Sequence, residues 1–92
     1  MKINLCFRGQ LALSTGVSEE AVEIVPGTTL GEALKAAAER HGDEFGKFVF
    51  GEEGALRSTL LVAIDGEQAS GGDAVIAEST KEITLMPPIA GG

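Results

Sequence analysis

Polar and apolar positions alternate from the start of the chain. Ile3, Leu5 and Phe7 fall on one side of an extended segment, and Asn4, Cys6 and Arg8 on the other. A period of two is what a strand with one buried face requires. From Gly9 to Gly16, where Leu11 and Leu13 lie, neither period is sustained, so the stretch reads as a connection. A second strand is predicted near Ala21-Val22-Glu23-Ile24-Val25, with Val22 and Ile24 sharing a face and Pro26-Gly27 ending it.

The period then lengthens. Thr28 or Thr29 stands where a helix cap belongs, and Glu32, three residues beyond Thr29, completes the spacing of a capping box. Leu30, Leu34, Ala37 and Ala38 form an apolar stripe at helical spacing, while Glu32, Lys35, Glu39 and Arg40 face away. His41-Gly42 ends the pattern, with the glycine as C-cap. Between Asp43 and Ser58 the signal weakens. Phe45, Phe48, Val49 and Phe50 are expected to tuck against the core, and Gly51-Glu52-Glu53-Gly54 reads as an exposed turn.

Leu60-Leu61-Val62-Ala63-Ile64 is the clearest strand, and its unbroken apolar run predicts a central position. Asp65-Gly66 is a hairpin dipeptide. Gly71-Gly72-Asp73 and Val75-Ile76 read as a loop and a short segment, and Lys81 to Met86 as a last strand with Ile83 and Leu85 inward. Two strands, a helix, an irregular piece and further strands make an α+β roll. One main helix is expected across one face of a four- to five-stranded sheet, leaving the other face to solvent or a partner.

Ninety-two residues make one domain, residues 1–86, followed by a flexible tail at 87–92. With no Trp or Tyr and only four Phe, the core must be aliphatic. The net charge of −7 argues against nucleic-acid or anionic-membrane partners, which select basic surfaces. No run is long enough to span a bilayer, and Met1-Lys2-Ile3 leads straight into a strand rather than a signal peptide, so a cytoplasmic protein is expected. The single cysteine, Cys6, excludes a disulfide or thiolate-held metal site within one chain, and its place inside a strand favours packing over reactivity. The lone His41 ends a helix, where its charge would complement the dipole, and no catalytic constellation accompanies it.

The residues with the clearest chemistry are Pro87-Pro88-Ile89-Ala90-Gly91-Gly92. Composition alone gives Gly-Gly at a chosen place about 2% of the time, so position must supply the rest of the signal. A strand feeding Pro-Pro holds a segment extended, and two glycines let its carboxylate enter a channel too narrow for a side chain.

Lys2-Ile3-Asn4-Leu5-Cys6-Phe7, the helix after Pro26-Gly27-Thr28-Thr29-Leu30, Leu61 through Glu67, and above all Ile83 through Gly92 resemble the MoaD/ThiS family of ubiquitin-like sulfur carriers. The resemblance covers essentially the whole chain and implies a β-grasp fold. Pro87-Pro88 favours the MoaD branch, the small subunit of molybdopterin synthase. Phe45-Gly46-Lys47 through Leu56-Arg57, with Ser70-Gly71-Gly72-Asp73, is similar instead to MoaD-like carriers of cysteine synthesis or tRNA thiolation. Where many members have Gly-Asp-Glu-Val before the last strand, this chain reads Ser79-Thr80-Lys81-Glu82-Ile83, a departure that bears on the branch more than on the fold.

The resemblance implies a carrier rather than an enzyme. The Gly92 carboxylate, presented by Gly91, would be adenylated by an E1-like enzyme of the MoeB/ThiF type using ATP and Mg²⁺. It would then become a thiocarboxylate with sulfur from a donor such as a cysteine desulfurase or rhodanese. The molybdenum-cofactor pathway comes first among the destinations, with cysteine, thiamine and tRNA thiolation beside it, and a synthase large subunit is a further possible partner. This chain would bind neither ATP nor metal, since no glycine loop cradles phosphate. Met86, Pro87, Pro88, Ile89, Ala90, Leu61 and Ala63 are the expected partner contacts. Cys6 and Thr84 share their strand faces, although Leu61 and Ala63 would serve equally well to complete the core. Glu52, Glu53, Asp65 and Glu67 are candidates for steering toward a basic partner. The alternative is a ubiquitin-like modifier joined to lysines through Gly92.

Overall fold

The computed structural model describes residues 1–51, 54–57, 59–69 and 71–87. Five strands and three helices follow in the order β1 (Lys2–Phe7), α1 (Gln10–Thr15), β2 (Glu19–Glu23), α2 (Leu30–His41), α3 (Asp43–Val49), β3 (Leu61–Ile64), β4 (Glu67–Ala69) and β5 (Glu82–Met86). The strands form one mixed sheet in the order β2-β1-β5-β3-β4. β1 pairs antiparallel with β2 and parallel with β5, while β3 pairs antiparallel with both β5 and β4. The sheet's middle strand is therefore its last in sequence.

The alternation of β1 is realised: Ile3, Leu5 and Phe7 are each about 1% exposed and meet Ile83 and Leu85 of β5 under the helices. α2 begins where the capping box places it. Thr29 Oγ1 accepts the Glu32 amide at 3.2 Å, and the Glu32 carboxylate accepts the Thr29 amide at 2.9 Å. Leu30, Leu34 and Ala37 are fully buried, and Ala33 joins them in place of Ala38, which lies half-buried at the edge of the stripe. Gly42, at φ 100°, ends the helix as expected.

Three expectations are corrected. Gly9 to Gly16 is not a plain connection, because Gln10–Thr15 forms α1 and plugs Leu11 into the core at 0% exposure. The weak stretch after Asp43 contains α3, which buries Phe45 and Val49 while Phe48 and Phe50 pack at the margin. The strand over Leu61–Ile64 is interior but not central. Its burial alternates, with Val62 at 3% and Leu61 at 44%, because only one face of the sheet is covered.

Asp65-Gly66 makes the β3–β4 turn with positive φ at both residues, 50° and 86°, the twist a two-residue hairpin demands. Asp65 also anchors the last strand. Its Oδ1 accepts the amides of Lys81 at 3.0 Å and Glu82 at 2.9 Å, fixing where β5 enters the sheet. Val75 and Ile76 divide as a short bridging segment should, Val75 pairing with Thr29 and Ile76 buried. Among the described residues no helix is long and apolar enough to cross a membrane. Glu52, Glu53 and the centre of their expected turn lie outside the described residues.

Candidate functional site: the open sheet face and the end of β5

Helices cover one face of the sheet, and strand parity decides what the other face presents. Register aligns Cys6 with Thr84 and Thr84 with Ala63, which in turn sits opposite Gln68. One step along, Met86 stands opposite Leu61. The expected group Cys6, Leu61, Ala63, Thr84 and Met86 is thus brought together on the open face, across β1, β5 and β3. Leu61 and Met86 are its exposed apolar pair at 44% and 37%, and Ala63 is half-buried beside them. Gln68 extends the same row, a member that no local pattern announces because its place depends on the β3–β4 register.

Cys6 is quiet chemically. Only 2% of it is exposed, and burial, reinforced by the neighbouring negative charge of Glu82, pushes the thiol above its ordinary pKa. The Asn4 side-chain amide donates to Sγ at 3.6 Å. A buried thiol kept protonated is a poor nucleophile.

Beyond Met86 the chain is held for one more residue. The Arg8 amide donates to the Leu85 carbonyl at 3.1 Å. Gly9 follows at φ 55°, ψ −129°, a conformation open essentially to glycine alone. A Cβ placed on Gly9 would lie 3.5 Å from the Pro87 ring. That is an ordinary contact distance, so the positive φ rather than crowding reserves the position for glycine, and Pro87 packs half-buried beside it. Sequence reading missed Gly9; a glycine directly after a strand was its only signal. Pro88, Ile89, Ala90, Gly91 and Gly92 lie outside the described residues.

The remaining charged clusters are elsewhere. Glu20 Oε1 accepts from Arg40 Nη2 at 2.7 Å and lies 3.0 Å from His41 Nε2, on the helix-covered side of β2. His41 also packs edge-to-face with Phe7 and at a tilt against Phe45, with ring centroids 5.6 and 5.5 Å away. It ends α2 as expected, but its chief contacts are this carboxylate and these rings. Of the expected steering acids, Asp65 is spent on the amides of Lys81 and Glu82, while Glu67 is exposed. Among the described residues no group of three or more His, Cys, Asp or Glu could hold a metal ion.

Comparison with known proteins agrees with this architecture. The sequence profile of the ThiS family matches residues 7–92. Small archaeal modifier protein 1 of Haloferax volcanii is 34% identical over 82 residues, covering 89% of this chain and 91% of that protein. The crystal structure of small archaeal modifier protein 1 from the same organism superposes with a TM-score of 0.86 at 28% identity, over all of both chains. A putative molybdopterin converting factor subunit 1 from Pyrococcus furiosus shares the fold, with a TM-score of 0.75 at 21% identity over 97% of this chain and 99% of that one. The chain belongs to the ThiS family, a ubiquitin-like β-grasp protein of the carrier and modifier kind.

Proposed function

We propose that this protein is a sulfur carrier activated at the carboxylate of Gly92. The observation that carries the reading is the extent of the family match, which runs through the folded body and on to Gly91-Gly92. An E1-like adenylating enzyme would supply ATP and Mg²⁺. The Gly92 carboxylate attacks the α-phosphate and releases pyrophosphate, exchanging a poor electrophile for an acyl-adenylate with AMP as leaving group. A persulfide sulfur on a cysteine desulfurase or rhodanese then displaces AMP. A second thiol cleaves the resulting acyl disulfide and leaves the thiocarboxylate.

In this scheme the body recognises and the tail reacts. Leu61 and Met86, paired across β3 and β5 with Ala63 beside them, form the apolar contact for the activating enzyme. Pro87, packed beside Gly9, is the last residue of the body before the reactive tail. Pro88, Ile89 and Ala90 would line the approach to the partner's active site. Molybdenum-cofactor synthesis is the destination favoured by Pro87-Pro88, with a synthase large subunit as acceptor; cysteine, thiamine and tRNA thiolation use the same chemistry.

A second reading is favoured by a specific observation: the 34%-identical relative is by name a protein modifier. There a lysine amine would displace the activating group, and an isopeptide bond to Gly92 would form. Intact-mass spectrometry after incubation with the E1-like enzyme, ATP, Mg²⁺ and a persulfide donor separates the two. A gain of one oxygen-for-sulfur exchange, lost on deleting Gly91-Gly92, is the expected result. ATP consumption with lysine-linked products and no such exchange would establish the modifier reading. An unchanged protein and no ATP turnover would overturn both.

A further inference from the structure

β2 is an edge strand, and its hydrogen-bonding pattern leaves one side free. Ile24 donates its amide to the Met1 carbonyl at 2.8 Å and Phe7 donates to Ser18 at 2.8 Å, so the even-numbered residues from Ser18 to Ile24 turn their peptide groups toward β1. By alternation, the amides and carbonyls of Glu19, Ala21 and Glu23 point outward. Among the described residues nothing pairs with them. Beside this edge, between β2 and α2, lies a groove of about 200 Å³ walled by Val22, Ile24, Val25, Ala33, Ala36 and Arg40. The groove is open because α2 presents alanines at positions 33 and 36, where larger side chains would fill it. Val25 forms an apolar lip, 74% exposed.

We infer that this edge and groove form a second binding surface, which takes an extended basic-aliphatic peptide segment of a partner protein as a sixth strand. A strand laid against Glu19, Ala21 and Glu23 gains outward-facing backbone bonds. It also drops every second side chain toward α2, where the volume suits one or two small aliphatic groups. Charge selects the flanks. Glu19, Glu23 and Glu32 rim the surface, whereas the one guanidinium there, Arg40, is already bonded to Glu20 at 2.7 Å. Lysine or arginine beside the aliphatic positions would meet Glu19 and Glu32, which have no cationic partner among the described residues, whereas Glu23 already faces the Met1 ammonium at 3.7 Å. The same acids argue against a second copy as occupant, since two antiparallel β2 strands would set glutamate against glutamate. β2 lies two strands from β5, so a peptide here leaves the open-face contact of Leu61 and Met86 free.

The test is titration of the ¹⁵N-labelled protein with a synthetic peptide of alternating valine and serine flanked by lysines. Saturable shifts confined to β2 and the groove side of α2, with slowed exchange of the Glu19, Ala21 and Glu23 amides, are expected. Ala21→Pro removes an outward amide, and an edge strand tolerates proline there. It should weaken binding by about tenfold, the upper range for one hydrogen bond, while the thermal midpoint stays put. Ala36→Leu, which blocks the groove from the exposed face of α2, should weaken it as well and guards against a folding failure in the first variant. Replacing the peptide's lysines by glutamates should abolish binding. Absence of saturable binding, shifts centred on Leu61 and Met86, or full affinity in both variants would overturn the inference.

Discussion

Glu20 holds the C-terminal turn of α2 to β2, and its ionisation matters to the fold. Burial raises the carboxyl's pKa, but hydrogen bonds from Arg40 and His41 outweigh that and leave it below the ordinary range. A carboxylate depressed in the folded state adds stability above its unfolded pKa of about 4.3, and loses it as pH falls through the lower folded value. Glu20→Gln should therefore cost about 1–2 kcal/mol near neutrality and progressively less toward acid. Chemical denaturation of both proteins across that range checks it, and a constant difference would refute the assignment. Gly9 offers a second test. Gly9→Ala forces a side chain into a φ/ψ region reserved for glycine and should cost about 1–3 kcal/mol. A thermal midpoint equal to wild type would show that the backbone at Gly9 leaves this conformation at no cost. Sequence could place Glu20 only as a polar residue near a strand. Arg40 and His41 approach it from 20 and 21 residues away, a proximity that no local pattern encodes.

At the scale of elements, legibility followed the strength of local signals. α2 was readable from cap to cap because its capping box, apolar stripe and closing glycine agree. The shorter helices were not. α1 has six residues, no side-chain cap and a single buried anchor, Leu11, so packing rather than propensity makes it helical. α3 has a glycine in its interior and no side-chain cap; Asp43 and Glu44 in its first turn were the one available hint. The long apolar run at Leu60 to Ile64 misled for a different reason: an exposed Leu61 on the open face looks, in sequence, like a buried one. Two substitutions in α2 should separate cap from core. Thr29→Ala should cost about 1 kcal/mol by orphaning the Glu32 amide, and Leu34→Ala about 2–5 kcal/mol by opening a cavity. Equal costs in a urea titration would contradict the placement of Leu34 at the centre of the core.

For the molecule as a whole, one covered face and one open face organise everything else. Alternation revealed which residues share a face. The order of the strands needed the family resemblance, since parallel pairing between the two ends of a sequence leaves no mark on either. The same parity that buries Ile83 and Leu85 exposes Met86. Placing lysine at both Leu61 and Met86 should therefore leave the unfolding midpoint within a degree or two, as is usual for exposed positions. The same variant should raise the KM for activation by the E1-like enzyme by about tenfold or more, since a charge pushed into an apolar contact is costly. Unchanged activation kinetics would move the docking surface elsewhere.

The position of β5 has a consequence for synthesis. The strand that joins the two halves of the sheet spans Glu82–Met86, so β1 must wait about 75 residues for its parallel partner. Until that strand clears the ribosome, β1 and β3 each keep a row of unsatisfied peptide groups, and Ile3, Leu5 and Phe7 have nothing to complete their burial. The nascent chain should therefore stay sensitive to proteases until nearly the whole body has been made, which limited proteolysis of stalled chains would check. Chains cut short before Glu82 should be cleared rather than accumulate, because the β1–β2 and β3–β4 hairpins are joined into one sheet only through β5. Folding quality control and exposure of a competent tail then become one event: a chain able to offer Pro87 to its partners has, by that fact, already built its core.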